Sequence, residues 1–260
     1  MKFASAVVTL SALADATTIL VGASTCGNCQ PSAGYLVTRL WDIVGNLTDQ
    51  DVIDEFHSGF APEVTNMDGF YRYTAAKTGN ESTVFFMNIF DTEGHAHAAQ
   101  EAAKKFVEDG ILNGNISPKL FTEDAIIAYF NSEECVNTDS NGLFLATRFS
   151  GQATSSLFSP GNVTSGMNDA NDFFKAISGY RSYVASQSVD ATTSFFFNIY
   201  ETAEGAQEAD DAILKMNASD ENYLMGNITP TMGEIKFDYL CSVGNFPQAK
   251  TDDRPKLMEM

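Results

Sequence analysis

Two stretches of this chain carry the same alternation of apolar and polar positions. Thr83 to Phe106 reads TVFFMNIFDTEGHAHAAQEAAKKF, and Thr193 to Met216 reads TSFFFNIYETAEGAQEADDAILKM. In each, an apolar strand passes through one asparagine, Asn88 or Asn198, and runs on into a helix. The shared core is F-F-x-N-I-[FY]-[DE]-T followed by E-G. Thr92 is placed to cap the first of these helices, whose expected buried stripe is Ala99, Ala102, Ala103 and Phe106.

Matching elements surround both stretches. Tyr35 to Trp41 and Leu143 to Phe149 read as opening strands, with Thr38-Arg39 aligned on Thr147-Arg148. Thr48 caps a helix bearing Val52, Ile53 and Phe56, which Gly59 and Pro62 should end. Its counterpart carries Met167, Ala170, Phe173, Phe174 and Ile177 at helical spacing. Gly69 to Ala75 pairs with Gly179 to Val184 as the second strand, and Lys77 to Asn80 has turn chemistry. Leu120 to Phe130 and Glu234 to Leu240 supply the fourth strands. The offset between copies stays near about 110 residues, which marks a repeat.

Each copy therefore has the order β-α-β-β-α-β of a ferredoxin-like unit, an α+β class. Helices cover one face of such a sheet. Residues on both faces of Thr83 to Phe90 are apolar, so the other face needs a cover too, and the partner copy supplies it. The predicted domains are a leader at 1–16, a cysteine-containing segment at 17–33, repeats at 34–131 and 142–245, and a polar tail at 246–260.

Composition narrows the partners. The formal charge of -19 opposes nucleic acid, and 44% hydrophobic residues with 20 Phe suffice for a core. The opening MKFASAVVTLSALADA has a positive n-region, a short apolar run and a small-x-small site, and so reads as a secretory signal. No stretch is long enough to span a membrane as a helix. A secreted location makes the four cysteines disulfide candidates. Three pairings are open. The expected one joins the Cys26/Cys29 segment to Cys135 and to Cys241, because each later cysteine follows a fourth strand that lies beside a first. The rival pairing is Cys26–Cys29 with Cys135–Cys241. Sequons stand at Asn46, Asn80, Asn115, Asn162, Asn217 and Asn227.

The run Glu201-Thr202-Ala203-Glu204-Gly205-Ala206, after Gly179-Tyr180 upstream, resembles the antibiotic-biosynthesis-monooxygenase-like family of dimeric α/β barrels. The resemblance spans both repeats and implies a pseudo-dimer, two subunits in one chain, for which a monomer suffices. That family includes cofactor-independent oxygenases and haem-degrading enzymes.

Candidate chemistry rests on polar residues that recur inside apolar strands: Asn88 with Asn198, Arg39 with Arg148, and the phenols Tyr73 and Tyr183. By alternation Asn88 shares a face with Phe86 and Phe90, and Arg39 with Val37 and Trp41. Buried, such groups need hydrogen bonds. A structural link between strand ends and loops is the plainer reading; orientation of a planar ligand between helices and sheet is the functional one. His95 lies on the alanine side of its helix, His97 on the polar side, and His57 at a helix end. No Ser-His-Asp order, phosphate loop or paired metal-ligand cluster stands out, and no particular cofactor is assigned. Two functions follow: a secreted module binding a small apolar or aromatic ligand or a protein, or a cofactor-independent monooxygenase or haem-handling enzyme.

Overall fold

The computed structural model describes residues 34–79, 82–132, 143–150, 172–188, 194–219 and 228–240. The leader, the four cysteines, Asn80, Asn162, Asn227 and the tail lie outside them. In chain order the elements are β1 (Gly34–Ile43), α1 (Asp49–Glu55), a π-helical turn (Phe56–Phe60), α2 (Ala61–Val64), β2 (Phe70–Thr78), β3 (Thr83–Phe90), α3 (Glu93–Asp109) and β4 (Ile116–Ser132). There follow β5 (Phe144–Ser150), β6 (Tyr180–Ser188), β7 (Ser194–Tyr200), α4 (Ala203–Ser219) and β8 (Ile228–Leu240).

The strands close into one barrel in the order β1-β3-β2-β8-β5-β7-β6-β4, with every neighbouring pair antiparallel. Within it β4-β1-β3-β2 and β8-β5-β7-β6 each follow the ferredoxin-like order. The expected packing of two sheets face to face thus takes a different form. The sheets hydrogen-bond edge to edge at two seams, β2 with β8 and β4 with β6, which leaves no free edge.

Alternation explains why both faces of a strand are apolar. All of β3 is buried. Val84, Phe86 and Phe90 pack outward under the helices, and Phe85, Met87 and Ile89 point into the barrel. Inside, Phe85 stacks on Phe195 of the second half with ring centroids 6.0 Å apart. The interior is one core built by both halves, not two.

Two local features recur. Gly69 and Gly179 both have positive φ, 71° and 78°, and their carbonyls accept from Asp91 and Glu201 at 2.9 and 2.8 Å. Beside each glycine the β2–β3 and β6–β7 ladders slip by one residue, at Tyr71 and Arg181.

Helix α1 begins as expected, with a capping box in which Thr48 Oγ1 accepts from Asp51 N at 3.1 Å and Asp51 Oδ2 from Thr48 N at 2.8 Å. It ends at Glu55, yet the chain does not leave the helical path at Gly59 and Pro62. The chain continues through the π-turn, where Gly59 lets the backbone approach the Phe106 ring; a Cβ there would lie 2.6 Å from it. Pro62 falls in the first turn of α2, where its missing N–H is no loss. On α3 the buried stripe is Ala96, Ala99 and Ala103, with Ala102 and Phe106 only partly buried. Strands β4 and β8 start earlier than predicted, at Ile116 and Ile228. Phe174 and Ile177 are buried, but Phe173 is 39% exposed, outside the expected apolar face.

Candidate functional site

Four strands of the barrel wall place one transverse row beneath the first half's helices: Val37 of β1, Asn88 of β3, Tyr73 of β2 and Tyr239 of β8. Residues in register across neighbouring strands point to the same face. The next row is Arg39, Phe86, Ala75 and Phe237. Above both lies an aromatic layer. Phe56 packs 4.3 Å from Phe86, Phe60 meets Tyr73 edge-on at 5.8 Å, and Phe237 meets Tyr73 at 5.0 Å.

Within this apolar layer Asn88 has 0% exposure, and neither its amide nitrogen nor its oxygen has a hydrogen-bond partner among the described residues. The same holds for the Tyr73 hydroxyl. Leaving such groups desolvated and unpaired costs about 1–3 kcal/mol each, so each calls for a partner such as a water, a residue outside the described ones or a bound molecule. Burial raises the Tyr73 pKa well above its ordinary value, partly offset by the nearby Arg39 cation, while Tyr239 pushes it up further. Tyr73 is therefore a neutral phenol, able to donate or accept. An amide and a phenol side by side offer two N–H donors, an O–H and two oxygens to one edge of a bound molecule.

The row ends at solvent. The π-turn carries His57 outward over β8, where its Nε2 lies 2.6 Å from the Tyr239 hydroxyl. Its ring stacks on Phe237 at 5.2 Å and Tyr239 at 5.9 Å. Single π-turns within helices concentrate at functional sites, because the extra residue re-aims side chains.

The other predicted residues fall as follows. Arg39 is buried one row from Asn88. Asn198 and Tyr183 are buried neighbours in the second half, in the row Ala146, Asn198, Tyr183, Asn131. Arg148 lies on β5 opposite Phe196 and Pro230. His95 sits at the β3–α3 junction, its Nδ1 2.6 Å from Asp91 Oδ1, and His97 is exposed near Glu93. Among the sequons, Asn46 is exposed. Asn115 donates to the Ile111 carbonyl of its own loop at 2.8 Å, its backbone carbonyl accepts from Val44 N at 2.9 Å, and Asn217 lies on α4. No group of three metal-ligating side chains forms among the described residues. No helix among them is long and apolar enough to cross a membrane.

Sequence reasoning missed two things. Tyr239 joins the site only because β8 pairs with β2 across a seam. The second is a polar knot inside the barrel. Arg72 and Asp238, both buried, form a two-pronged pair at 2.8 and 2.6 Å, while Thr74 donates to Asp238 at 2.6 Å and Arg72 to Ser182 at 3.2 Å. A charge in each of two apolar strands was the available signal.

No family model and no curated protein matches the sequence. Solved structures do match in fold. A provisionally named monooxygenase of Lactobacillus acidophilus aligns with 80% of this chain and 96% of its own, at TM-score 0.55 and 8% identity. A second, from Fusobacterium nucleatum, covers 80% and 95% at TM-score 0.53 and 10% identity. A provisionally named chlorite dismutase covers 78% and 95% at TM-score 0.53 and 9% identity. With closed antiparallel strands and helices packed outside them, this chain has the fold of the ferredoxin-like dimeric α/β barrels.

Proposed function

We propose that this protein binds a small planar, largely apolar molecule between the helices and the barrel wall of its first half. The observation that carries the reading is the buried Asn88 amide with both polar atoms unpaired, next to the unpaired Tyr73 hydroxyl. Flat aromatic walls suit a planar ligand, and the amide and phenol would read hydrogen-bonding groups along its edge. We further take the chain to be two fused ferredoxin-like subunits that act as a pseudo-dimer, exported by its leader; the repeated motif and the six sequons support this. Native mass spectrometry with absorbance of protein from its own source tests binding. A mass increment lost on denaturation is expected, and bare protein that also fails to take up aromatic probes would overturn the reading.

A second reading is oxygenase chemistry without a cofactor. It is favoured by the meeting of Asn88, Tyr73 and Arg39 in one layer, on a fold shared with the provisionally named monooxygenases. Oxygen uptake with electron-rich tricyclic phenols tests it. Haem fits less well: His95 and His97 are 39% and 49% exposed and His57 is exposed too, so none of the three is an enclosed axial ligand.

A further inference from the structure

We propose that the chain holds one ligand site, not two, and that the last strand of its second half completes the site of the first. This rests on the binding reading above. The two halves have nearly the same framework, yet their rows end differently. In the first half the row is Asn88, Tyr73, Tyr239, with His57 bonded to Tyr239 at the solvent edge. In the second, Asn198 and Tyr183 are followed in register by Asn131 of β4. The position about 110 residues after His57 is Met167, and the second half has no histidine at all.

The difference matters chemically. An imidazole bonded to a phenol at the mouth can pass a proton between solvent and a bound hydroxyl, because each group both donates and accepts. The inner Tyr73 is held neutral by burial and stands opposite Tyr239 in the strand register. Asn88, Tyr73, Tyr239 and His57 thus form a polar edge that runs from the buried amide to water. The ligand class is a planar aromatic with hydroxyl or carbonyl oxygens along one side. Tyr239 belongs to the opposite half, so this edge exists only when the β2–β8 seam is closed.

The second half does offer a cleft of about 220 Å³ lined by Gln207, Asp210, Leu214 and Met232. It lies between α4 and β8, where Met232 stands in register with Ala146 at the end of the Asn198 row, and presents a carboxylate side chain. Among the described residues its lining has no phenol and no imidazole, so it does not reproduce the polar edge.

Naphthol serves as a probe for the full-length protein. It is planar, bears one hydroxyl, and its emission shifts when an acceptor takes the hydroxyl proton. Titration calorimetry and fluorescence should give one naphthol per chain. Asn88→Leu should abolish that binding by tenfold or more. Tyr239→Phe and His57→Gln should weaken it several-fold and lower the deprotonated fraction of the emission, with melting temperature confirming a folded protein. Two naphthols per chain, or one remaining in Asn88→Leu, would overturn the single site while leaving binding itself intact. Unchanged affinity and emission in both Tyr239→Phe and His57→Gln would remove β8 from the site. If the wild-type chain binds no naphthol, the binding reading falls and this inference with it.

Discussion

Breaking the polar knot inside the barrel should destabilise the protein more than any surface change. Arg72 and Asp238 side chains are 2% and 6% exposed, and their two-pronged contact is reinforced by Thr74 and Ser182. Asp238→Ala leaves a guanidinium buried beside the Phe197 ring, 5.5 Å from its centroid, with no anion. Removing one partner of a buried pair costs about 3–5 kcal/mol, whereas replacing both with apolar residues is often neutral or favourable. Domains of this size are stable by roughly 5–15 kcal/mol, so the loss is a large fraction of the total. At about 2–4 °C per kcal/mol, the melting temperature should fall by on the order of 10 °C. Urea titration of the full chain followed by far-UV dichroism measures the effect. Arg72→Met with Asp238→Leu together should recover most of the stability. The reasoning fails if Asp238→Ala stays within about 1 kcal/mol of the wild type, or if the double variant is as unstable as the single one.

Asn88→Leu removes a buried amide that has no partner among the described residues, so the ligand-free protein should gain about 1–3 kcal/mol. A loss of stability in the same urea titration would show that the amide is satisfied. Tyr73 keeps its proton in the fold above its ordinary pKa of 10.0, while the unfolded chain releases it there. Its contribution is therefore full below pH 10 and shrinks as pH rises further, and Tyr73→Phe should flatten that decline in alkaline denaturation curves. Gly69→Ala combines positive φ with a Cβ only 1.8 Å from Asp91 Oδ1, whereas Gly114→Ala has positive φ and open space. The second should cost about 1–2 kcal/mol and the first clearly more; equal melting temperatures would refute the steric part.

Much of the fold was legible along the chain because its signals are local. Alternation identified β3 as a strand apolar on both faces. Thr48 and Thr92 marked helix starts, since a hydroxyl needs only its own next turn to cap. The repeat revealed the order of elements, and alternation placed Asn88 on one face with Phe86 and Phe90 and Arg39 on one face with Val37 and Trp41. What stayed hidden depends on contacts between distant residues. Gly59 and Pro62 look like a helix end, and only the packing of Phe106 against the π-turn shows why the chain continues. Closure into one barrel, the Arg72–Asp238 knot and the arrival of Tyr239 beside Tyr73 all follow from strand pairing across the seams. A strand's own sequence states which residues share a face, because the pleat repeats every two residues. It does not state which edge will meet it, and that pairing decided which residues form the site.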